Sequence, residues 1–263
     1  MSDIVGVLQA AELWPQALEL GTALILLATA IVTSALTAAV GIGGGLVMLA
    51  VLGSLLPVAV VIPIHTVVQL GSNTSRALLL KAHVQWPMVG LFSLGALFGI
   101  VLATPFYTVL DEALLLAILA VFILLLVWGP KPALAVKRLG VSAAGGAIGF
   151  ATLFVGATGP LALAALPRDQ LSPQQTSATH AMLMVGQNAF KVIAFIWLGF
   201  AFKDWLMFLA AMVLMSFIGS YLGKQFLDRL PGDVFRKAVT WLLTLLAVKM
   251  LYDAFNHGLL GIL

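Results

Sequence analysis

Runs of apolar residues too long for a β-strand or a soluble core helix recur along the chain, and they constrain its fold more than any other feature. They fall at about 17–40, 58–81, 86–104, 112–129, 139–156, 173–200, 204–223 and 234–255. A shorter apolar piece at about 46–56 cannot cross a bilayer by itself, since a spanning helix needs roughly 20 residues. It predicts a broken or re-entrant element. Of the 263 residues, 62% are hydrophobic and 9% are charged, whereas soluble domains carry about 25% charged residues. So few charges cannot clothe a water-facing surface, and lipid must cover much of the exterior. Backbone groups in hydrocarbon have to be satisfied internally, which makes the runs helices. The expected fold is all-α, a polytopic transmembrane bundle of about eight helices forming a single domain over 1–263.

Other features narrow the setting. There is no cysteine, which excludes disulfides, thiolate metal sites and thiol nucleophiles. A net charge of +3 is too small to suggest nucleic acid. Met1 to Pro15 reads as a short amphipathic or extramembrane lead-in, because Asp3, Glu12 and Glu19 do not fit a cleaved signal peptide. The segment 129-GPKPALAVKR-138 reads as a linker. Trp14, Trp86, Trp128, Trp197 and Trp205 lie near the ends of expected spans, where indole rings favour the headgroup level. With the N-terminus inside, Lys81, Lys131, Lys137, Arg138 and Lys203 are cytoplasmic, and Lys224, Arg229, Arg236 and Lys237 lie outside. That near balance leaves the orientation open.

The chain also matches itself at a constant offset of 115 residues. Gly41 and Gly44 map onto Gly156 and Gly159, His65 onto His180, Gly71 onto Gly186, Asn73 onto Asn188, and Arg76 onto Lys191. The common pattern is G-x-x-G, twenty residues, then H-x5-G-x-N-x-x-(R/K). Two related halves are therefore expected, repeat 1 at about 17–129 and repeat 2 at about 139–256, joined by 130–138. Each has an interruption: Gly41 to Gly45 in the first and Gly156 to Pro160 in the second. Internal duplication and broken helices near the midplane are common in secondary transporters, and interrupted helices offer free N–H groups to anions. Parallel and inverted arrangements of the halves both remain open. So does the simpler reading, in which both halves keep only a helix-packing pattern.

Ionisable residues inside the spans are functional candidates by default, because burying them is costly. Arg76, Lys191, His65 and His180 fall inside, whereas no Asp or Glu lies near the middle of any span. Cations without carboxylates favour an anionic solute. The candidate substrate-binding set is Arg76, Lys191, Asn73, Asn188, His65, His180, Gly43, Gly44, Thr158, Gly159, Gln69 and Gln187. Each has a structural alternative: Arg76 and Lys191 could snorkel, and the histidines and asparagines could be interhelical hydrogen bonders. No metal or cofactor is expected. An enzyme is disfavoured, since the chain has no H-E-x-x-H, no G-x-S-x-G and no dinucleotide fingerprint at Gly41 to Leu46.

The stretches 37-TAAVGIGGGLVML-49 and 63-PIHTVVQLGSNTSR-76, with their diverged copies in the second half, resemble the TauE/SafE sulfite exporter family over about 20–255. The resemblance implies a transporter of about eight helices in a bacterial or archaeal inner membrane. It implies export or exchange of small sulfur-containing anions such as sulfite or organosulfonates. The second half departs from the pattern, with its glycine motif reduced to 155-VGATGP-160 and Lys191 in place of arginine. On this reading the partners are a small anion and the bilayer, and alternating access comes from one repeat rocking against the other. The alternatives are an anion channel and a non-transporting scaffold, in which Gly90, Gly95 and Gly99 would serve contacts in a homo-oligomer.

Overall fold

Apolar sequence without β-directing alternation becomes helix here, and all regular structure among the described residues is helical. The computed structural model describes residues 14–15, 18–40, 43–129, 140–225 and 232–257. The first half holds α1 (Leu20–Val40), α2 (Gly44–Leu55), α3 (Val58–Leu79), α4 (Trp86–Tyr107) and α5 (Glu112–Trp128). The second holds α6 (Val141–Val155), α7 (Gly159–Ala165), α8 (Pro173–Trp197), α9 (Leu206–Gln225) and α10 (Gly232–His257). Short 3-10 turns at Lys81–His83 and Phe202–Trp205 precede α4 and α9. The expected linker beyond Gly129, most of the lead-in, Gly41 and Arg229 lie outside the described residues, as do the side chains of Lys224 and Arg236.

Among the described residues, four segments are long and apolar enough to cross a membrane: Leu20–Ala38, Trp86–Tyr107, Phe202–Gly223 and Lys237–Asn256. Helices α3 and α8 are as long, at 22 and 25 residues, but carry the polar side chains of the site. The apolar piece expected at 46–56 is α2. A second short helix, α7, follows the other glycine break, where the sequence suggested only an interruption. Helix starts are capped where the sequence allows. Ser172 and Gln175 form a reciprocal capping box at α8, with Pro173 at its first position. The Asp111 carboxylate accepts from the Leu114 amide at 2.7 Å at the start of α5.

The main packing partners come from opposite sides of residues 130–139. The largest contacts are α4 on α6, α1 on α9, α3 on α8, and α5 on α10. Two of these crossings require glycine. A Cβ at Gly95 or Gly99 would run into the α6 backbone at Ser142 and Gly146, and one at Gly219 or Gly223 into the α1 carbonyls of Ile31 and Ala35. Such close approach between backbones is how membrane helices gain van der Waals contact where lipid offers no hydrophobic drive. Gly95 and Gly99 are thus engaged within the chain, whereas Gly90 faces open space.

Large apolar side chains remain exposed around the bundle, among them Phe98, Leu94, Leu245 and Val32. Trp86, Trp128 and Trp197 are exposed at helix ends, as an aromatic belt requires. Trp14 instead turns inward and meets the edge of Phe208 at 5.4 Å.

Candidate functional site

Two breaks in the helices create the site. After α1 the chain reverses through Gly43, whose φ of 105° is a conformation that L side chains rarely adopt. Helix α2 then begins at Gly44, pressed so closely on α1 that a Cβ would strike the Thr33 carbonyl and the Thr37 hydroxyl. In the second half, α6 ends at Gly156, with φ of 68°, and α7 starts three residues later. A Cβ on Gly156 would meet Leu49 of α2 at 2.9 Å, so the two breaks lie against each other.

Long helices α3 and α8 staple these breaks. His65 Nε2 donates to the Gly45 carbonyl at 2.9 Å, and His180 Nε2 donates to the Gly159 carbonyl, also at 2.9 Å. Lys191 Nζ donates to the Gly156 carbonyl at 3.0 Å. Gln187 Nε2 donates to Thr158 Oγ1 at 3.0 Å, and Thr158 Oγ1 in turn donates to Thr152 Oγ1 at 3.1 Å. Backbone that leaves a helix within a membrane has to find such partners or line a cavity. Here it does both.

Helices α3 and α8 run antiparallel past each other. Arg76, near the end of α3, reaches His180, near the start of α8, with Nη2 to Nδ1 at 3.4 Å. His65, toward the start of α3, lies within electrostatic reach of Lys191, toward the end of α8. Arg76 Nη2 also donates to Asn73 Oδ1 at 2.6 Å, and Asn73 Nδ2 to the Gln69 carbonyl at 2.7 Å. The guanidinium is thereby aimed by its own helix and by the opposite one.

A cavity of about 40 Å³ lies between the breaks, with space for a few water-sized bodies. Ten of the twelve residues singled out from the sequence line it: Gly43, His65, Gln69, Asn73, Arg76, Thr158, Gly159, His180, Gln187 and Asn188. Gly44 and Lys191 do not. Gly44 is buried in the α1–α2 turn, and Lys191, 0% exposed, holds the second break from behind. Arg76 is 7% exposed, so neither cation snorkels to water. Among the described residues, Arg76 and Lys191 are the buried Arg and Lys side chains, and no Asp or Glu is buried.

Several lining residues were not in the sequence-derived set: Thr37, Gly45, Leu46, Gly156, Ala157, Pro160 and Met184. Most stand inside the two glycine-rich motifs. Met184 lies 115 residues beyond Gln69, so the offset itself points to it.

The chemistry of this constellation suits an anion. It combines a guanidinium, primary amides and the start of a twelve-residue helix, whose first N–H groups lack intrahelical acceptors and carry the positive end of its dipole. In comparison with known proteins, the model of the family described as Sulfite exporter TauE/SafE matches residues 25–250. No match to the chain appears among curated proteins or among solved structures.

Proposed function

Because the chain belongs to the TauE/SafE sulfite exporter family, we propose that it is a secondary transporter, working as an exporter, for a small sulfur-containing anion such as sulfite or an organosulfonate. The membrane would be the inner membrane of a prokaryote. The observation that carries this reading is the cavity between the two breaks, lined by Arg76 and amides, in a bundle whose described residues bury no carboxylate. An anion entering beside the buried Arg76 guanidinium would gain a charge-assisted contact. Asn73, Asn188 and Gln69 would hydrogen-bond the anion's oxygens through their amide N–H groups, while Gln187, whose Nε2 donates to Thr158 and the Ile148 carbonyl, would hold the break beside them. The amides at the start of α2 would add backbone donors.

The 115-residue offset fits an inverted arrangement. Residues matched by the offset pair crosswise on antiparallel helices, Arg76 in contact with His180 and His65 within electrostatic reach of Lys191. That pattern is expected of two halves related by an axis in the membrane plane. Alternating access would then act around the α3–α8 crossing.

Reconstituted protein in proteoliposomes tests the proposal. Radiolabelled sulfite and organosulfonates should move in a protein-dependent way, and Arg76→Ala should lose most of that flux. Concentrative movement under an imposed proton gradient would separate a carrier from a channel. No anion-dependent flux, or full flux in Arg76→Ala, would overturn the reading.

A further inference from the structure

The two histidines do the same work with one ring nitrogen and different work with the other. Each Nε2 donates to a backbone carbonyl, so in the neutral ring each Nδ1 is an acceptor. His180 Nδ1 accepts from Arg76 Nη2 at 3.4 Å. His65 Nδ1 is buried and has no hydrogen-bond partner, although Lys191 lies within electrostatic reach of the ring. Lys191 instead donates to the Gly156 carbonyl. One cation–histidine contact is closed and its counterpart is open. A buried acceptor without a donor is unfavourable, so the open contact is a destabilising feature of this state that another state can remove.

The two contacts lie far apart along α3. His65 and Arg76 are eleven residues apart on α3, about 16 Å along a helix. The contacts are therefore well separated along the pair, and a small rocking of α3 on α8 about a point between them would close one as it opens the other. We propose that Arg76–His180 and Lys191–His65 are alternating latches, each marking one of two states of the bundle. In the state described, Arg76 is latched on His180. In the opposite state, Lys191 Nζ closes on His65 Nδ1 and Arg76 leaves His180. Lys191 and the two histidines are then positioning residues, which act through the breaks and the helix crossing. The inference rests on the transport reading only in taking the two states to be those of a transport cycle.

The natural sequence contains no cysteine, so single introduced thiols report without background. Gln69→Cys and Met184→Cys place probes at two cavity positions 115 residues apart, one on α3 and one on α8. The full chain, in proteoliposomes, is labelled with an impermeant maleimide from either side, and the ratio of the two rates is read. His180→Leu should shift that ratio one way and His65→Leu the other, the two differing by at least about fivefold, the change that one typical net hydrogen bond carries. Both substitutions also remove a staple to a break. Arg76→Met and Lys191→Met therefore provide the second pair, because they leave both histidine–carbonyl bonds intact and should shift the ratio in the same opposite senses. Lys191→Arg should keep the parental ratio. Ratios that move in one direction for both members of a pair, or that do not move, overturn the latches. The labelling needs no substrate. Opposite shifts without anion flux would overturn the transport reading alone, and anion flux with unmoved labelling would overturn the latches alone.

Discussion

Replacing Lys191 with methionine separates the stability of the bundle from its activity. The side chain is 0% exposed and its ammonium meets the Gly156 carbonyl at 3.0 Å. Methionine has similar length and no charge. Removing the donor leaves the Gly156 carbonyl with only the Thr152 hydroxyl, at 3.5 Å, and an under-satisfied buried carbonyl costs about 1–3 kcal/mol. Against this stands the desolvation of the ammonium. Replacing buried ionic groups with apolar side chains of similar volume is often neutral, or stabilising by about 1–4 kcal/mol. The two effects nearly cancel, with a net change within about 1 kcal/mol of zero. For a chain of this size that moves Tm by no more than about 4 °C. Flux should nevertheless fall to background. Thermal unfolding in detergent, followed by size-exclusion fluorescence, gives the first quantity, and proteoliposome uptake gives the second. A drop in Tm much larger than this would make Lys191 a structural tether. Full flux at unchanged Tm would show that the buried cation has no part in transport.

Other substitutions test the surrounding framework. Gly156→Ala forces an L side chain into a φ of 68° and pushes a Cβ to 2.9 Å from Leu49, so it should destabilise the protein by about 2–4 kcal/mol, read as a fall in Tm. Ser172→Ala removes the capping box of α8 and should lower stability by about 1 kcal/mol while leaving anion affinity unchanged in a flux titration. Trp128→Phe deletes the Trp128 Nε1 donor to Thr244 Oγ1 at 2.9 Å. It should loosen the α5–α10 pair by about 1 kcal/mol, visible as faster amide exchange in α10, with normal flux.

The expectation of helices, breaks and buried cations was legible because each rests on residue type and spacing alone. Nine of the ten described helices coincide with apolar runs in the sequence, since hydrocarbon leaves the backbone no alternative to helix. Helix α7 was not legible: seven residues between Thr158 and Leu166 are too few to show a period. The offset of 115 brought Arg76, His65, Asn73 and their counterparts forward, but it could not say which of them face the cavity. Lys191 and Arg76 look equivalent in sequence, yet one holds a carbonyl behind the break and the other lines the space in front of it. That difference depends on side-chain direction at a helix crossing, and the spacing of residues along one chain carries no such information. Nor could the sequence show that Gly95 and Gly99 would be used by α6 of the same chain.

The interlocking of the two halves also bears on how the chain is made. Helix α1 leaves the ribosome early, but the backbone it fits closest, at Gly219 and Gly223, arrives almost 200 residues later. Helix α4 must wait for α6, and the Arg76 guanidinium for His180. Helices α1 to α5 therefore cannot complete their packing before the rest of the chain is synthesised. The buried cation of α3 spends that interval without its histidine. Closure of the bundle thus comes late, and until then the partly made chain carries helix faces without their partners.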